Sequence, residues 1–269
     1  MTDWADRAKE RSWANTILKT TRKNTRNISD PEVKQLWSRF EEEKNNVKKY
    51  EYCIQLISKD PKDYFAYLRA GDTLRELKQN DEAHEKYLKS LELSNRKCIE
   101  VLNNYGNFQI DLNNSNKAIN LYDEGLKMKP KDYDLLINKG NAFNQLKKYD
   151  EAIVCYDKAL EIEPNDIICL RNKANTLDDL EKYEEAIVCY DKALEIDPND
   201  VRCLRNKGRT LKNLKKYEEA IVCIDKALEI DPNRTDTLFF KGNVFYAQGK
   251  NNEAIEYFEK VLSIDPKHV

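Results

Sequence analysis

The sequence contains few residues that could carry out acid, base or nucleophilic catalysis. It has two histidines, His84 in the first half of the chain and His268 next to the last residue. A Ser/His/Asp arrangement needs a histidine beside its nucleophile, and a histidine metal site needs several ligands, so neither is predicted. Asp and Glu are abundant, as on any solvated helical surface. We therefore predict a protein that is not an enzyme and has no cofactor and no metal site.

Cysteine is the reactive residue type that recurs at a fixed spacing. Cys155, Cys189 and Cys223 are 34 residues apart, and so are Cys169 and Cys203. Equivalent positions in neighbouring units of a helical array are about 8 to 10 Å apart, which is too far for a direct disulfide. The chain has seven cysteines and no CxxC pair. We interpret them as buried, reduced thiols rather than a metal or redox device.

Asparagine recurs at the same period and offers a different chemistry. The residues are Asn103, Asn104, Asn107, Asn138, Asn141, Asn172, Asn175, Asn206 and Asn243. An asparagine side chain has a donor pair and an acceptor, so a row of them can bind the amides of an extended peptide. The alternative is that they bond to neighbouring helices of the protein itself.

Basic and aromatic residues accompany the asparagines. The basic ones are Arg171, Arg202, Arg205, Arg209 and Lys212, and Phe239, Phe240 and Tyr246 follow them. Guanidinium groups bind carboxylates in a bidentate manner, which favours an acidic peptide or a C-terminal carboxylate as ligand. The predicted peptide-binding residues are Asn104, Asn107, Asn138, Asn141, Arg171, Asn172, Asn175, Arg202, Arg205, Asn206, Arg209, Phe240 and Asn243.

A repeat of helical hairpins is what positions these side chains. Prolines stand 34 residues apart at Pro130, Pro164, Pro198, Pro232 and Pro266. Such a period indicates a stacked array. Apolar residues recur at three- and four-residue spacing on both sides of a polar turn, so each unit predicts a helix A and a helix B. An aspartate precedes helix A as an N-cap at positions 63, 132, 166 and 200.

Small and large residues alternate within each unit. Helix A carries Gly71, Gly106, Gly140, Ala174, Gly208 and Gly242, and helix B carries Ala83, Ala118, Ala152, Ala186, Ala220 and Ala254. Bulky Tyr87, Tyr122, Tyr156, Tyr190, Ile224 and Phe258 come one turn after those alanines. This alternation predicts close helix pairs with large side chains between them.

The set of Leu136, Gly140, Ala152, Tyr156 and Pro164, repeated one period later, resembles the tetratricopeptide repeat. The resemblance covers residues 64–269. It implies an all-α fold, a right-handed α-solenoid of stacked helix-turn-helix units, whose helices A line a concave groove. Relatives that bind acidic chaperone tails use a basic and asparagine clamp. Arg171, Asn175 and Asn206 match two of its parts, but Asp236 and Phe240 occupy positions that should be basic.

The chain divides into three predicted regions. Residues 1–29 contain no repeat signature, and residues 30–63 form a degenerate repeat or N-terminal capping helices. Six units follow, at 64–98, 99–132, 133–166, 167–200, 201–234 and 235–268. Terminal units of a solenoid need a polar outer face. Because no capping helix follows the sixth unit, we expect self-association or a partner at the uncapped C-terminal repeat.

Composition narrows the choice of partner. The net charge is −2, and no stretch has the run of apolar residues needed to span a membrane. We therefore expect a cytoplasmic, non-catalytic protein-interaction scaffold that binds an extended, acidic protein segment in its groove. Its role would be co-chaperone-like or that of an assembly adaptor. We expect neither a membrane nor nucleic acid as the main partner. Two alternatives stay open: a nucleic-acid-binding solenoid, and the regulatory arm of a larger enzyme or complex.

Overall fold

The computed structural model describes residues 30–266. This part of the chain contains fourteen α-helices and no β-strand, as the repeat pattern predicts. The helices are α1 (Pro31–Glu42), α2 (Asn46–Lys59), α3 (Tyr64–Glu76), α4 (Asn80–Leu93), α5 (Ile99–Asp111), α6 (Ser115–Met128), α7 (Tyr133–Gln145), α8 (Tyr149–Leu160), α9 (Ile167–Asp179), α10 (Tyr183–Ile196), α11 (Val201–Asn213), α12 (Tyr217–Ile230), α13 (Thr235–Ala247) and α14 (Asn251–Ile264). From α3 onward, odd-numbered helices are helices A and even-numbered ones are helices B.

Inter-helix contacts divide the chain into two compact units, residues 1–142 and 143–269, with α7 crossing the division. In the first unit α1 pairs with α2, α3 with α4 and α5 with α6. In the second unit α9 pairs with α10, α11 with α12 and α13 with α14, and each pair also packs against the next. Each unit is therefore built from antiparallel helical hairpins.

Aspartate side chains start the helices A as predicted. The carboxylate of Asp63 accepts a hydrogen bond from the amide of Phe65 at 2.9 Å, and that of Asp166 accepts from Cys169 at 2.7 Å. Asp132 and Asp200 bond in the same way to the amides of Leu135, at 3.1 Å, and Cys203, at 2.8 Å. These bonds satisfy amide groups that have no acceptor inside the helix.

The turn between helix A and helix B contains a residue with left-handed backbone. Lys147, Glu181 and Lys215 have φ values of 59°, 60° and 61°, and Gly249 has 77° at the equivalent place in the last hairpin. Left-handed backbone is readily adopted by glycine and is less favourable for other residues. Lys78 and Asn113 have the same left-handed backbone in the turns of the first unit. Five non-glycine residues of these turns therefore adopt this conformation, which the sequence pattern did not indicate.

The alternation of small and large residues forms the core. In the first unit Tyr87 and Tyr122 are fully buried, and the Tyr122 ring lies directly against Gly106. In the second unit Tyr190 and Ile224 are fully buried within clusters that include the alanines of helices A and B. The predicted packing of large side chains of helix B against small residues of helix A is therefore confirmed in both units.

The N-terminal region contains two helices rather than one long helix. Leu36 of α1 and Leu56 of α2 are buried against Ala66 of α3, so these helices cover the first repeat hairpin. The predicted segment 1–29 and the predicted tail histidine His268 lie outside the described residues.

The cysteines are thiols. Six are buried and Cys98 is half-buried. Burial raises the pKa of the Cys203 thiol to about 12, and it also raises the pKa values of Cys189 and Cys223. A thiol with a raised pKa forms little thiolate at neutral pH, so these cysteines are structural.

Candidate peptide-binding surface

Two positions of helix A carry most of the predicted peptide-binding residues. The sixth residue of the helix is Asn104 in α5, Asn138 in α7, Asn172 in α9, Asn206 in α11 and Phe240 in α13. The ninth residue is Asn107, Asn141, Asn175, Arg209 and Asn243 in the same helices. We call the side chains at these positions of α9, α11 and α13, together with the neighbouring arginines, the helix-A surface; it lies within the second unit.

In the second unit, Asn175 links three helices. Its Oδ1 accepts a hydrogen bond from the hydroxyl of Tyr190 in α10 at 2.6 Å. The same oxygen accepts from Nδ2 of Asn206 in α11 at 2.8 Å. The Tyr190 ring is fully buried and Asn206 is 9% exposed, so these bonds lie inside the protein. Asn206 thus donates to Asn175, whose side-chain oxygen is taken up by two internal hydrogen bonds.

The first unit repeats this arrangement with a carboxylate. Asp72, the ninth residue of α3, accepts a hydrogen bond from the Tyr87 hydroxyl at 2.8 Å and from Nδ2 of Asn104 at 3.1 Å. Oδ1 of Asn107 accepts from the Tyr122 hydroxyl at 2.8 Å. The ninth residue of helix A therefore accepts from the tyrosine of helix B in both units.

The remaining asparagines are placed differently. Nδ2 of Asn138 donates to Oδ1 of Asn103 at 2.8 Å, and Asn103 is buried. Asn141, Asn172 and Asn243 are half-buried. The structure thus ties most of the asparagine row into contacts between helices, and every predicted peptide-binding asparagine except the buried Asn206 is half-buried.

Each of three predicted ligand-binding arginines has a carboxylate partner within the protein. Arg171 is only 3% exposed and its Nη1 donates to Asp200 at 2.8 Å. Arg205 forms an ion pair with Asp236, which also bonds Arg234. Arg209, the third of these, and the fourth predicted arginine, Arg202, are more accessible. The Arg209 side chain is 34% exposed and donates to Asp178 at 2.8 Å, and Arg202 is half-buried at the start of α11.

Charge in the second unit is nevertheless concentrated around Arg205. Burial lowers the pKa of its guanidinium; Asp236 raises that pKa, and the positive charges of Arg234, Arg209 and Arg202 lower it further. For the Asp236 carboxyl, burial raises the pKa, but Arg205 and Arg234 outweigh this and hold it below its usual range. The site is therefore a cluster of arginines partly neutralised by internal carboxylates.

The carboxylates Asp178 and Asp236 were not predicted to have a role in this surface. A signal was present in the sequence: several bonded polar pairs in neighbouring hairpins are 31 or 32 residues apart, as in Asp178 with Arg209 and Asp72 with Asn104. This separation is shorter than the 34-residue period because the bonds join the ninth or twelfth residue of one helix A to an earlier position of the next.

The predicted aromatic side chains are on α13, the helix A that follows the arginine-bearing α11. Tyr246 is 67% exposed and Phe239 is 41% exposed. Phe240 is half-buried, with the Arg205 guanidinium carbon 5.9 Å from its ring centre. This distance permits a cation–π contact. Of the predicted aromatic residues, Phe240 therefore lies beside Arg205, whereas the Phe239 ring lies 5.5 Å from that of Phe258 in α14.

A search of residues 30–266 found no group of three or more His, Cys, Asp or Glu side chains placed to hold a metal ion. Within the same residues no helix is both long and apolar enough to span a membrane.

Comparison with known proteins agrees with this architecture. Models of the tetratricopeptide repeat match residues 66–97, 99–132, 133–166, 167–200, 201–234 and 235–268. A search of curated proteins found no match. Among solved structures, a tetratricopeptide repeat protein from Parabacteroides merdae is similar with a TM-score of 0.70 and 20% identity, over 87% of this chain and 91% of its own.

Two further structures are similar over much of the chain. YrrB, described as a TPR protein with an unusual peptide-binding site, matches with a TM-score of 0.54 and 23% identity, over 68% of this chain and 93% of its own. PilF of Pseudomonas aeruginosa matches with a TM-score of 0.63 and 16% identity, over 78% of this chain and 96% of its own. With repeat models matched almost continuously from residue 66 to residue 268 and an all-helical fold of stacked hairpins, this chain belongs to the tetratricopeptide repeat family.

Proposed function

We propose that this protein is an interaction scaffold that binds an extended, acidic segment of another protein on the helix-A surface of α9, α11 and α13. Membership of the tetratricopeptide repeat family supports a protein partner. The similar protein YrrB is described as having a peptide-binding site. The same reasoning favours an assembly adaptor or co-chaperone-like role inside the cell over a catalytic one.

The observation that carries the proposal is the arginine cluster around Arg205. Asp236 pairs with both Arg205 and Arg234, and Arg202 and Arg209 stand about one turn before and after Arg205 on α11. A carboxylate brought to this surface gains from that positive potential and from guanidinium donors. Tyr246 and Phe239 on α13 offer exposed rings on which an apolar residue of the peptide packs.

The internal carboxylates set the expected strength of binding. An acidic ligand competes with Asp178 and Asp236 for Arg209 and Arg205. Because the charge is already partly compensated, the net gain from a ligand carboxylate is small. We therefore expect weak to moderate affinity that falls as salt is added.

The test is a binding titration of the full chain with fluorescent acidic, neutral and basic peptides of equal length. The variant Arg202→Gln/Arg209→Gln removes two charges at accessible positions and leaves the buried Arg171 pair intact. The matched control Lys127→Gln/Lys131→Gln removes the same charge from exposed positions outside α9, α11 and α13. We expect the acidic peptide to bind, with affinity lost in the first variant and kept in the control.

Two results count against the proposal. Equal binding of all three peptides contradicts an acidic ligand, and equal loss in both variants indicates a general charge effect. A labelled single-stranded oligonucleotide tests the nucleic-acid alternative in the same assay. Binding of the oligonucleotide in preference to the acidic peptide would replace this proposal with that alternative.

Self-association at the last hairpin is a separate proposal about partners. Ile255 and Leu262 of α14 are 52% and 50% exposed. Their counterparts in α12, Ile221 and Leu228, pack against the core of the second unit. A second chain that covers α14 would bury this apolar surface, and the variant Ile255→Glu/Leu262→Glu tests whether association depends on it.

A further inference from the structure

Three successive helices B carry an exposed valine at the same position. Val154 in α8, Val188 in α10 and Val222 in α12 are 34 residues apart and are 51%, 53% and 55% exposed. The equivalent positions of α4, α6 and α14 hold Glu85, Asn120 and Glu256. The hairpin therefore accepts a polar residue here, and packing within the chain does not explain the valines.

Charged residues flank each valine in a fixed order. In α10 and the turn before it the exposed residues include Lys182, Glu185, Val188, Lys192 and Glu195; Glu181, Glu184 and Ile196 are exposed as well. Residues of the same types as the first five stand 34 positions earlier around Val154 and 34 positions later around Val222, and all of them are exposed. We call this set the valine surface. It lies entirely within the second compact unit.

The order of charges on the valine surface is self-complementary. Read along the helix, it is positive, negative, valine, positive, negative, so reversing the helix direction exchanges the signs about the valine. Glu185 precedes Val188 by three residues and Lys192 follows by four, about 4.5 and 6 Å along the helix axis. A reversed copy therefore places each glutamate within about 1.5 Å of the level of a lysine.

Two further acidic rows lie on these helices: exposed Asp150, Glu184 and Glu218, four residues before each valine, and Asp157, Asp191 and Asp225, three residues after it. Asp191, which follows Val188 by three residues, forms an ion pair with Lys207 of α11 at 2.5 Å. Asp157 and Asp225 pair in the same way with Lys173 and Lys241. The second row is therefore paired within the chain, and in the first row Asp150 lies 3.9 Å from Lys182. Within the valine surface Lys216 lies 4.0 Å from Glu219, and the side chains of these residues are at least 44% exposed.

We propose that the valine surface is a contact between two copies of this chain. A two-fold axis parallel to the row of valines places valine against valine and each glutamate row against a lysine row of the other copy. Such a contact is isologous, because the same residues contribute from both copies. The proposal goes beyond the peptide-binding function and uses α8, α10 and α12 rather than the helix-A surface.

The size of the surface sets the expected affinity. Three valines and the stems of flanking lysines and glutamates give a contact at or below the low end of specific interfaces, about 1,200 Å² in total. We therefore expect a weak dimer, with a Kd on the order of 10 to 100 μM. The dimer should weaken as salt is added, since its charged rows are exposed.

Sedimentation equilibrium of the full chain over a concentration series that reaches the millimolar range tests the proposal. The mass should rise from that of one chain to that of two. In the variant Val154→Glu/Val188→Glu/Val222→Glu it should remain that of one chain. This variant introduces the residue found at the same position in α4 and α14, so circular dichroism and thermal unfolding should match the parent.

A charge exchange gives the sharper test. Two triple variants each place like charges opposite each other in the dimer, so each should be a monomer alone. They are Lys158→Glu/Lys192→Glu/Lys226→Glu and Glu151→Lys/Glu185→Lys/Glu219→Lys. An equimolar mixture should form a mixed dimer, because all opposing rows then have opposite signs. A control with the same charge change at exposed sites outside these helices, Lys97→Glu/Lys127→Glu/Lys131→Glu, should dimerise like the parent.

Three results would overturn the proposal. The first is a monomer at every concentration of the parent chain. The second is a dimer that the valine variant retains but Ile255→Glu/Leu262→Glu abolishes, since this assigns association to α14. The third is a failure of the two folded charge variants to associate when mixed. Peptide binding is measured separately with the Arg202→Gln/Arg209→Gln variant, so the two proposals fail independently.

Discussion

The hydroxyl of Tyr190 donates a hydrogen bond to Oδ1 of Asn175 at 2.6 Å, and this oxygen also accepts from Asn206 of the next hairpin. One side-chain atom thereby connects helix B and helix A of a hairpin to helix A of its neighbour. The asparagine row that resembles a peptide-binding device is, at this place, part of the protein's own structure.

Removing this network should destabilise the protein. Tyr190→Phe loses one hydrogen bond and should cost about 1 kcal/mol, whereas Asn175→Ala leaves two donors without an acceptor and should cost roughly 1 to 3 kcal/mol. Because the residues share one bond, the double variant should cost less than the sum. Urea unfolding followed by circular dichroism measures these changes. Tyr217→Phe, in α12, serves as a control, and strict additivity of the first two variants would contradict the shared bond.

Arg171 should matter more for stability than Arg209. Arg171→Ala leaves the Asp200 carboxylate without its buried partner and should cost roughly 3 to 5 kcal/mol. Arg209 is 34% exposed, so water replaces more of its interactions and Arg209→Ala should cost clearly less. Urea unfolding of both variants compares them directly. Equal costs would mean that burial of the Arg171 pair has no energetic role.

Gly106 should not tolerate a methyl group. A Cβ at this position overlaps the fully buried Tyr122 ring, whereas at Gly71 the nearest Tyr87 atoms are at 3.1 Å. Gly106→Ala should therefore destabilise the protein by about 1 to 3 kcal/mol, more than Gly71→Ala. The gain in helix propensity on adding alanine, about 1 kcal/mol, is common to both variants and cancels in their comparison. Thermal unfolding that ranks Gly71→Ala as the more damaging change would contradict this packing.

Thiol labelling should distinguish Cys98 from the other cysteines. Cys98 is half-buried, while Cys53, Cys155, Cys169, Cys189, Cys203 and Cys223 are buried. Because burial raises the pKa of Cys203 to about 12 and that of Cys189 as well, these thiols form little thiolate near neutral pH. Mass spectrometry during reaction with iodoacetamide should show one fast label in the native protein and seven in urea. A Cys98→Ser control should remove the fast label, and rapid multiple labelling of the native chain would refute burial of the thiols.

Acid should weaken the hairpin that contains Asp236. The net pKa of this carboxyl is below its ordinary value in the folded protein, because the arginine charges exceed the opposing effect of burial. A lowered folded-state pKa contributes stability above the unfolded-state value, about 3.9, and this contribution is lost as pH falls through the folded-state pKa. Asp236→Asn should therefore reduce the loss of stability between pH 5 and pH 2, by urea unfolding across that range. A steeper loss in the variant would show the opposite sign.

Much of the fold follows from the sequence because its signals are local or periodic. Proline spacing, N-cap aspartates such as Asp166, and the Gly106 and Tyr122 pair specify hairpins and their packing without reference to distant contacts. The positions of Asn175 and Arg209 on helix A are likewise set by the 34-residue period. What each of these side chains bonds to is not a local property.

The sequence by itself determined a helical repeat array with polar and basic residues at recurring positions of helix A. Tertiary structure determines which of those side chains face solvent and which form hydrogen bonds or ion pairs between hairpins. Asn175 is bonded to Tyr190 and Asn206, and Arg171 to Asp200, while Arg209 remains partly exposed. The reason is geometric: residues 29 to 32 positions apart meet only when one hairpin packs on the next, and a buried donor or acceptor then bonds to the nearest complementary group.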